Sequence, residues 1–280
     1  MIAGLDHVVV LVRDLDASAA AFEVLSARAP AWRAADDGAA SMLFTLDNMS
    51  VELMAPEGDG VNAQRIRNVL DTQSEGLASL CFLTPDIAKM HRRLERLALQ
   101  PDPVASASSR DIATGATLSW QRSRAAKEAT RNVRMFFLEL AAPRAPSLTT
   151  APSAFLGLDH VVVQTGDPER AAALYGARLG LDMALDRSNP DWGRLMFFRC
   201  GDLIVEVVHR PGNKSAPDHD KIWGLSWRVA DADAARARLV AAGIDVSDVR
   251  TGRKPGTRVL SVRSGTSGIP TMLVERTARG

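Results

Sequence analysis

The 280-residue chain has two cysteines, one tyrosine and 5% aromatic residues, and no apolar run approaches the roughly 20 residues that cross a bilayer. Cys81 and Cys200 each stand alone inside an apolar run. That excludes a disulfide scaffold and predicts two reduced core thiols. An excess of one charge is missing too, with 34 Lys+Arg against 33 Asp+Glu. Without a polybasic field, neither nucleic acid nor an anionic membrane is expected as a partner. The opening MIAGLDHVVVLV lacks the basic segment and small-residue cleavage site of a secretory signal, so the expected compartment is the cytoplasm. No Walker loop, Rossmann fingerprint, CxxC pair or GxSxG elbow is present, which argues against NTPase, dehydrogenase, zinc-ribbon and hydrolase readings.

What is there is a repeat. LDHVVV begins at Leu5 and again at Leu158, about half the chain apart, so the chain divides into two similar halves. Each copy reads as a buried strand and precedes an Ala-rich helix, with Asp14 or Asp16 and then Asp167 placed as N-caps. Each half divides again. GLASLCFL from Gly76 and WGLSWRV from Trp223 are apolar strands followed by Asp-containing caps and helices. Two or three strand-like runs follow each helix, including RLMFFRC and LIVEVVHR around a tight turn at Gly201 and Asp202. The pattern is βαβββ four times over, an α+β chain with halves at 1–142 and 155–280 and a Pro-, Ser- and Thr-rich linker at 143–154.

With its recurring LDHVVV strand, its Asp-started helix and a later strand holding one Glu among apolar residues, the chain resembles the vicinal oxygen chelate superfamily. That family includes glyoxalase I, extradiol dioxygenases and bleomycin resistance proteins. The resemblance implies two cup-shaped, glyoxalase-like half-barrel domains, each built from two βαβββ units around a divalent metal. The implied ligands are His7, Glu52 and Glu139 in one cup and His160, Glu206 and Glu275 in the other, if units pair in chain order; a cross-pairing would mix the sets. The position of the usual second histidine falls on Ser79 and Gly224, leaving both to face substrate.

Two readings follow from that set. A metal ion, Fe, Mn, Ni or Zn, would polarise an oxygenated small molecule while Glu275, or Glu139 in the first cup, moves a proton, giving a lyase, isomerase or dioxygenase. The rival is a metal-free protein that sequesters a small hydrophobic molecule, as bleomycin resistance proteins do. The bland alternative to both is that each histidine and glutamate form an ion pair that merely plugs the cup floor. Arg253, Lys254 and Arg258, with Arg250, lie in a basic turn that would hold a substrate carboxylate or phosphate, or simply be solvated. Trp32, Trp192, Trp223 and Trp227 would line a pocket or fill the core. His91, His209 and His219 are not expected as ligands, and a monomer or a homodimer is expected.

Overall fold

The computed structural model describes residues 1–210 and 219–276. The first half runs β1 (Gly4–Leu11), α1 (Leu15–Ser26), β2 (Trp32–Asp36), β3 (Ala39–Thr45), β4 (Ser50–Pro56), α2 (Val61–Gln73), β5 (Gly76–Leu83), α3 (Ile87–Arg96), β6 (Ala105–Arg110), β7 (Thr117–Arg124) and β8 (Arg134–Leu140). The second half runs β9 (Gly157–Gln164), α4 (Pro168–Ala172, continued by a π-helical turn), β10 (Asp182–Asn189), β11 (Gly193–Cys200), β12 (Leu203–His209) and β13 (Lys221–Val229). It ends with α5 (Ala232–Ala241), β14 (Arg250–Thr251), β15 (Thr257–Val262) and β16 (Thr271–Arg276).

Each half forms one eight-stranded sheet with the same permutation, β2-β3-β4-β1-β5-β8-β7-β6 and β10-β11-β12-β9-β13-β16-β15-β14. Units one and two therefore share a sheet, as do units three and four. Within each, the first and last strands of a unit run parallel, and the two units join antiparallel through β1 with β5 and β9 with β13.

Four aspartates start the four unit helices. Asp14, Asp86, Asp167 and Asp231 each accept the backbone N–H three residues on, at Ala17, Lys89, Arg170 and Ala234. Such a cap is worth about 1 kcal/mol. The helices cover one face of each sheet, burying Val8, Val10, Leu80, Phe82, Met135 and Phe137 in the first half and Val161, Val163, Val205 and Leu273 in the second. These residues belong to one continuous core spanning both halves. At its middle the Trp227 ring stacks on Phe155 at 5.2 Å and meets Phe22 edge-on. A buried ion pair, Arg131 Nε to Asp220 Oδ2 at 3.0 Å, also ties the halves together. Both cysteines are buried and free, and burial pushes the Cys200 thiol up to about 12.

The opposite face of the first sheet is concave and carries a smaller apolar cluster of Val9, Leu11, Cys81 and Leu138. Ile66 and Leu70 of α2 pack on that cluster, so α2 lies over the mouth of the cup. The sheet curls until its edges meet. Trp32 Nε1 donates to Ser109 Oγ at 2.9 Å, and Ile112 N donates to the Arg33 carbonyl at 2.8 Å. The first cup is thereby nearly a closed barrel.

Candidate functional site

His7 and Glu52 face the first cup from adjacent parallel strands, because the register pairs Val9 with Glu52 and leaves His7 one pleat along the same face. A register shift between Leu5 and His7 opens β1 locally. Beside it, His7 Nδ1 lies 2.7 Å from Asp6 Oδ2, and His7 Nε2 lies 3.4 Å from Glu52 Oε2. Arg144 Nη2 stands 3.3 Å from the same Asp6 oxygen. The result is an Arg144, Asp6, His7, Glu52 relay of alternating charge.

The second half repeats it. His160 Nδ1 is 3.1 Å from Asp159 Oδ2, and its Nε2 is 3.2 Å from Glu206 Oε2. Asp159 is held by Arg228 at 3.3 Å and by Arg276. Two arginines therefore stand where the first cup has one.

The electrostatics separate the two cups. Burial works against a charged His7 ring, but Cys81, Asp6 and Glu52 outweigh it and raise its pKa well above 6.5. Burial also opposes the Glu52 carboxylate, yet His7, Ser41 and Arg144 prevail and hold its pKa below the usual carboxylate value. Both directions favour an imidazolium paired with a carboxylate. In the second cup burial dominates and raises Glu206, although His160, Arg253 and Arg210 pull the other way.

Glu139 and Glu275 are corrections to the expected ligand sets. On β8 the cup-facing positions are Phe136 and Leu138, which pack with the concave cluster, whereas Met135 and Phe137 enter the main core. Glu139 follows the core-facing parity, and its Oε2 accepts the Ile87 N–H at 2.7 Å, at the start of α3. Glu275 does the same for α5, accepting from Ala232 N at 2.8 Å. Both carboxylates answer the positive end of a helix on the far side of the sheet from the histidines.

Arg258 is corrected with them. It spans Glu275 Oε2 at 3.2 Å and Asp233 Oδ2 at 2.7 Å, outside the cup. Lys254 is exposed in the turn before β15. Arg253 is exposed, with its guanidinium 3.5 Å above the Trp192 ring, joining the turn before β15 to the turn before β11. Ser79 lies on β5 opposite Val9 and lines the first cup. At Gly224 a Cβ would stand 2.8 Å from the Pro270 carbonyl oxygen, so no side chain fits there. Trp32 and Trp227 are structural, as described above, while Trp192 and Trp223 stack against Arg253 and Arg210.

These placements decide how well a divalent metal fits. Each cup offers one histidine and one glutamate, with hydrocarbon at the last-strand position, and among the described residues no three His, Cys, Asp or Glu converge as a metal site. Catalytic sites for such ions ordinarily use three protein donors. The donor set does not fit a resident metal.

The first cup is a cavity of about 530 Å³ between the barrel and α2. His7 and Glu52 contribute to its wall beside Val9, Met54, Ile66 and Phe136. Trp120, Arg65, Arg122, Arg134 and Arg144 also line it, and none of these was singled out from the sequence. The available signal was the alternation Trp120, Arg122, Arg124, which puts all three on one face of β7.

A doubled βαβββ sheet with a His/Glu pair in each concave face defines a paired-cup architecture. The comparisons with known proteins agree. Residues 5–157 match the family described as glyoxalase-like domain, and residues 157–265 match the glyoxalase/bleomycin resistance protein/dioxygenase superfamily. The chain belongs to this family, within the vicinal oxygen chelate superfamily. No curated protein matches. A variant of 4-hydroxymandelate synthase from Streptomyces coelicolor superposes with a TM-score of 0.71 at 17% identity, covering 100% of this chain and 95% of that one. A hypothetical protein from Staphylococcus aureus gives 0.66 at 10% identity, covering 96% and 98%. The Mn(II)-bound glyoxalase from Novosphingobium aromaticivorans gives 0.66 at 13% identity, covering 98% and 82%. At these identities the likeness is one of fold, and fold does not fix chemistry.

Proposed function

We propose that the protein binds a small organic molecule in its first cup without a metal ion, the binding and sequestering mode of this superfamily. The observation that carries this reading is the α2-covered cavity of about 530 Å³, in which hydrocarbon from Phe136 and Leu138 occupies the last-strand position. The volume lies within the range of ordinary ligand pockets, and a wall in which Val9, Leu11, Met54, Ile66 and Phe136 stand beside charged side chains suits an organic guest with a polar end. The charge state of the relay favours binding over proton abstraction. A general base works best with a pKa near the working pH, whereas the Glu52 pKa is pulled below its ordinary value and that of His7 is raised.

The test is titration with N-phenylnaphthylamine, a neutral dye that brightens in apolar sites. One saturable site is expected, indifferent to EDTA and abolished by Ile66→Trp, which fills the cavity from α2. Undiminished binding in I66W, or binding that needs a divalent ion, contradicts the reading.

A further inference from the structure

Resting on that reading of the first cup, we infer that its guest is an organic oxyanion, a carboxylate or phosphate on an apolar body, whose charged end is received by Arg134 and Arg144. Five arginines line the cavity against two acids, Glu52 and Asp102. Glu52 is already committed to His7, and Asp102 to Arg124 at 2.9 Å. The remaining cations outnumber their partners.

Arg144 is the clearest case. One of its nitrogens meets Asp6, but its Nε and Nη1 are buried with no acceptor. Leaving a buried charged donor unpaired is costly, and a guest oxygen would remove that cost. Arg134 projects from β8 into the same cavity and has no acidic partner among the described residues. Burial, with Arg124 and Arg65 close by, lowers its pKa, so Arg134 stands in a field that a bound anion would relieve. Guanidinium forks hold carboxylate and phosphate oxygens through paired hydrogen bonds. The hydrocarbon of Val9, Met54, Ile66 and Phe136 faces the rest of the guest. The corresponding arginines of the second cup are engaged, Arg228 and Arg276 with Asp159 and Arg253 with Trp192. The surplus belongs to the first cup.

The test is displacement of N-phenylnaphthylamine by three ligands sharing one aromatic body, naphthaleneacetate, naphthyl phosphate and the neutral naphthaleneacetamide. At least one anion is expected to compete about tenfold better than the amide. Which anion prevails tells carboxylate from phosphate. The preference is expected to shrink with added salt in the unaltered protein, to vanish in Arg134→Gln/Arg144→Gln, and to survive in part in Arg134→Lys/Arg144→Lys. If the dye binds and all three ligands compete equally, the anion assignment is overturned while the cup remains a binding site. If the dye does not bind, the cup reading falls and the anion assignment with it.

Discussion

His7 lies between two carboxylates, and the pKa directions of the three give the arrangement a pH signature. Asp6 and Glu52 have folded pKa values below their ordinary ones, so their contribution is present above the ordinary carboxylate range and is lost as pH falls through the lowered values. His7 has a raised pKa, so its contribution is complete below 6.5 and is lost as pH rises through the raised value. Denaturant unfolding is expected to show a plateau between these limbs. His7→Gln is expected to remove the alkaline limb and, by leaving Glu52 without its partner and Asp6 with Arg144 alone, to cost about 3 kcal/mol near neutral pH. An unchanged alkaline limb in H7Q contradicts the assignment. His7 and Glu52 were legible at this scale because an ionisable group inside an apolar strand needs a partner. Asp6 stood in the same repeated motif and was passed over, since only the irregularity in β1 brings it beside the His7 ring.

Among the elements, the strands and unit helices were legible from apolar runs and aspartate caps. Facing was harder. Glu139 and Glu275 sit one residue off the parity that enters the cup, and a strand's parity is set by which face the core claims, a tertiary choice. As helix-end acceptors, they carry a specific expectation. Glu275→Gln is expected to destabilise the protein by about 1 kcal/mol, weakening the N-terminus of α5 and releasing Arg258, with dye binding in the first cup unchanged. Loss of dye binding in E275Q would return this residue to a functional site. Helix α2 escaped notice for a physical reason. Its buried set is only Ala63, Ile66 and Leu70, too sparse to announce a helix, because it covers a cavity instead of sealing a core.

For the whole molecule, the repeat foretold two equivalent sheets, and the structure adds that they share one core through Phe22, Phe155 and Trp227. The symmetry does not extend to the cups. One is covered by α2 and lined by five arginines against two acids among the described residues, while Arg228 and Arg276 of the other engage Asp159 and its Arg253 engages Trp192. The positions at which the resemblance implied a second histidine hold Ser79 in one cup and, in the other, Gly224, where a Cβ would stand 2.8 Å from the Pro270 carbonyl oxygen. The central claim is that the fold persists here without its metal. Elemental analysis of untagged protein, after anaerobic exposure to Fe, Mn, Ni and Zn and removal of free ions, tests it most directly. The expected result is metal far below one ion per chain, with His7→Ala and His160→Ala indistinguishable from the unaltered protein. Stoichiometric metal that disappears in either variant would contradict it.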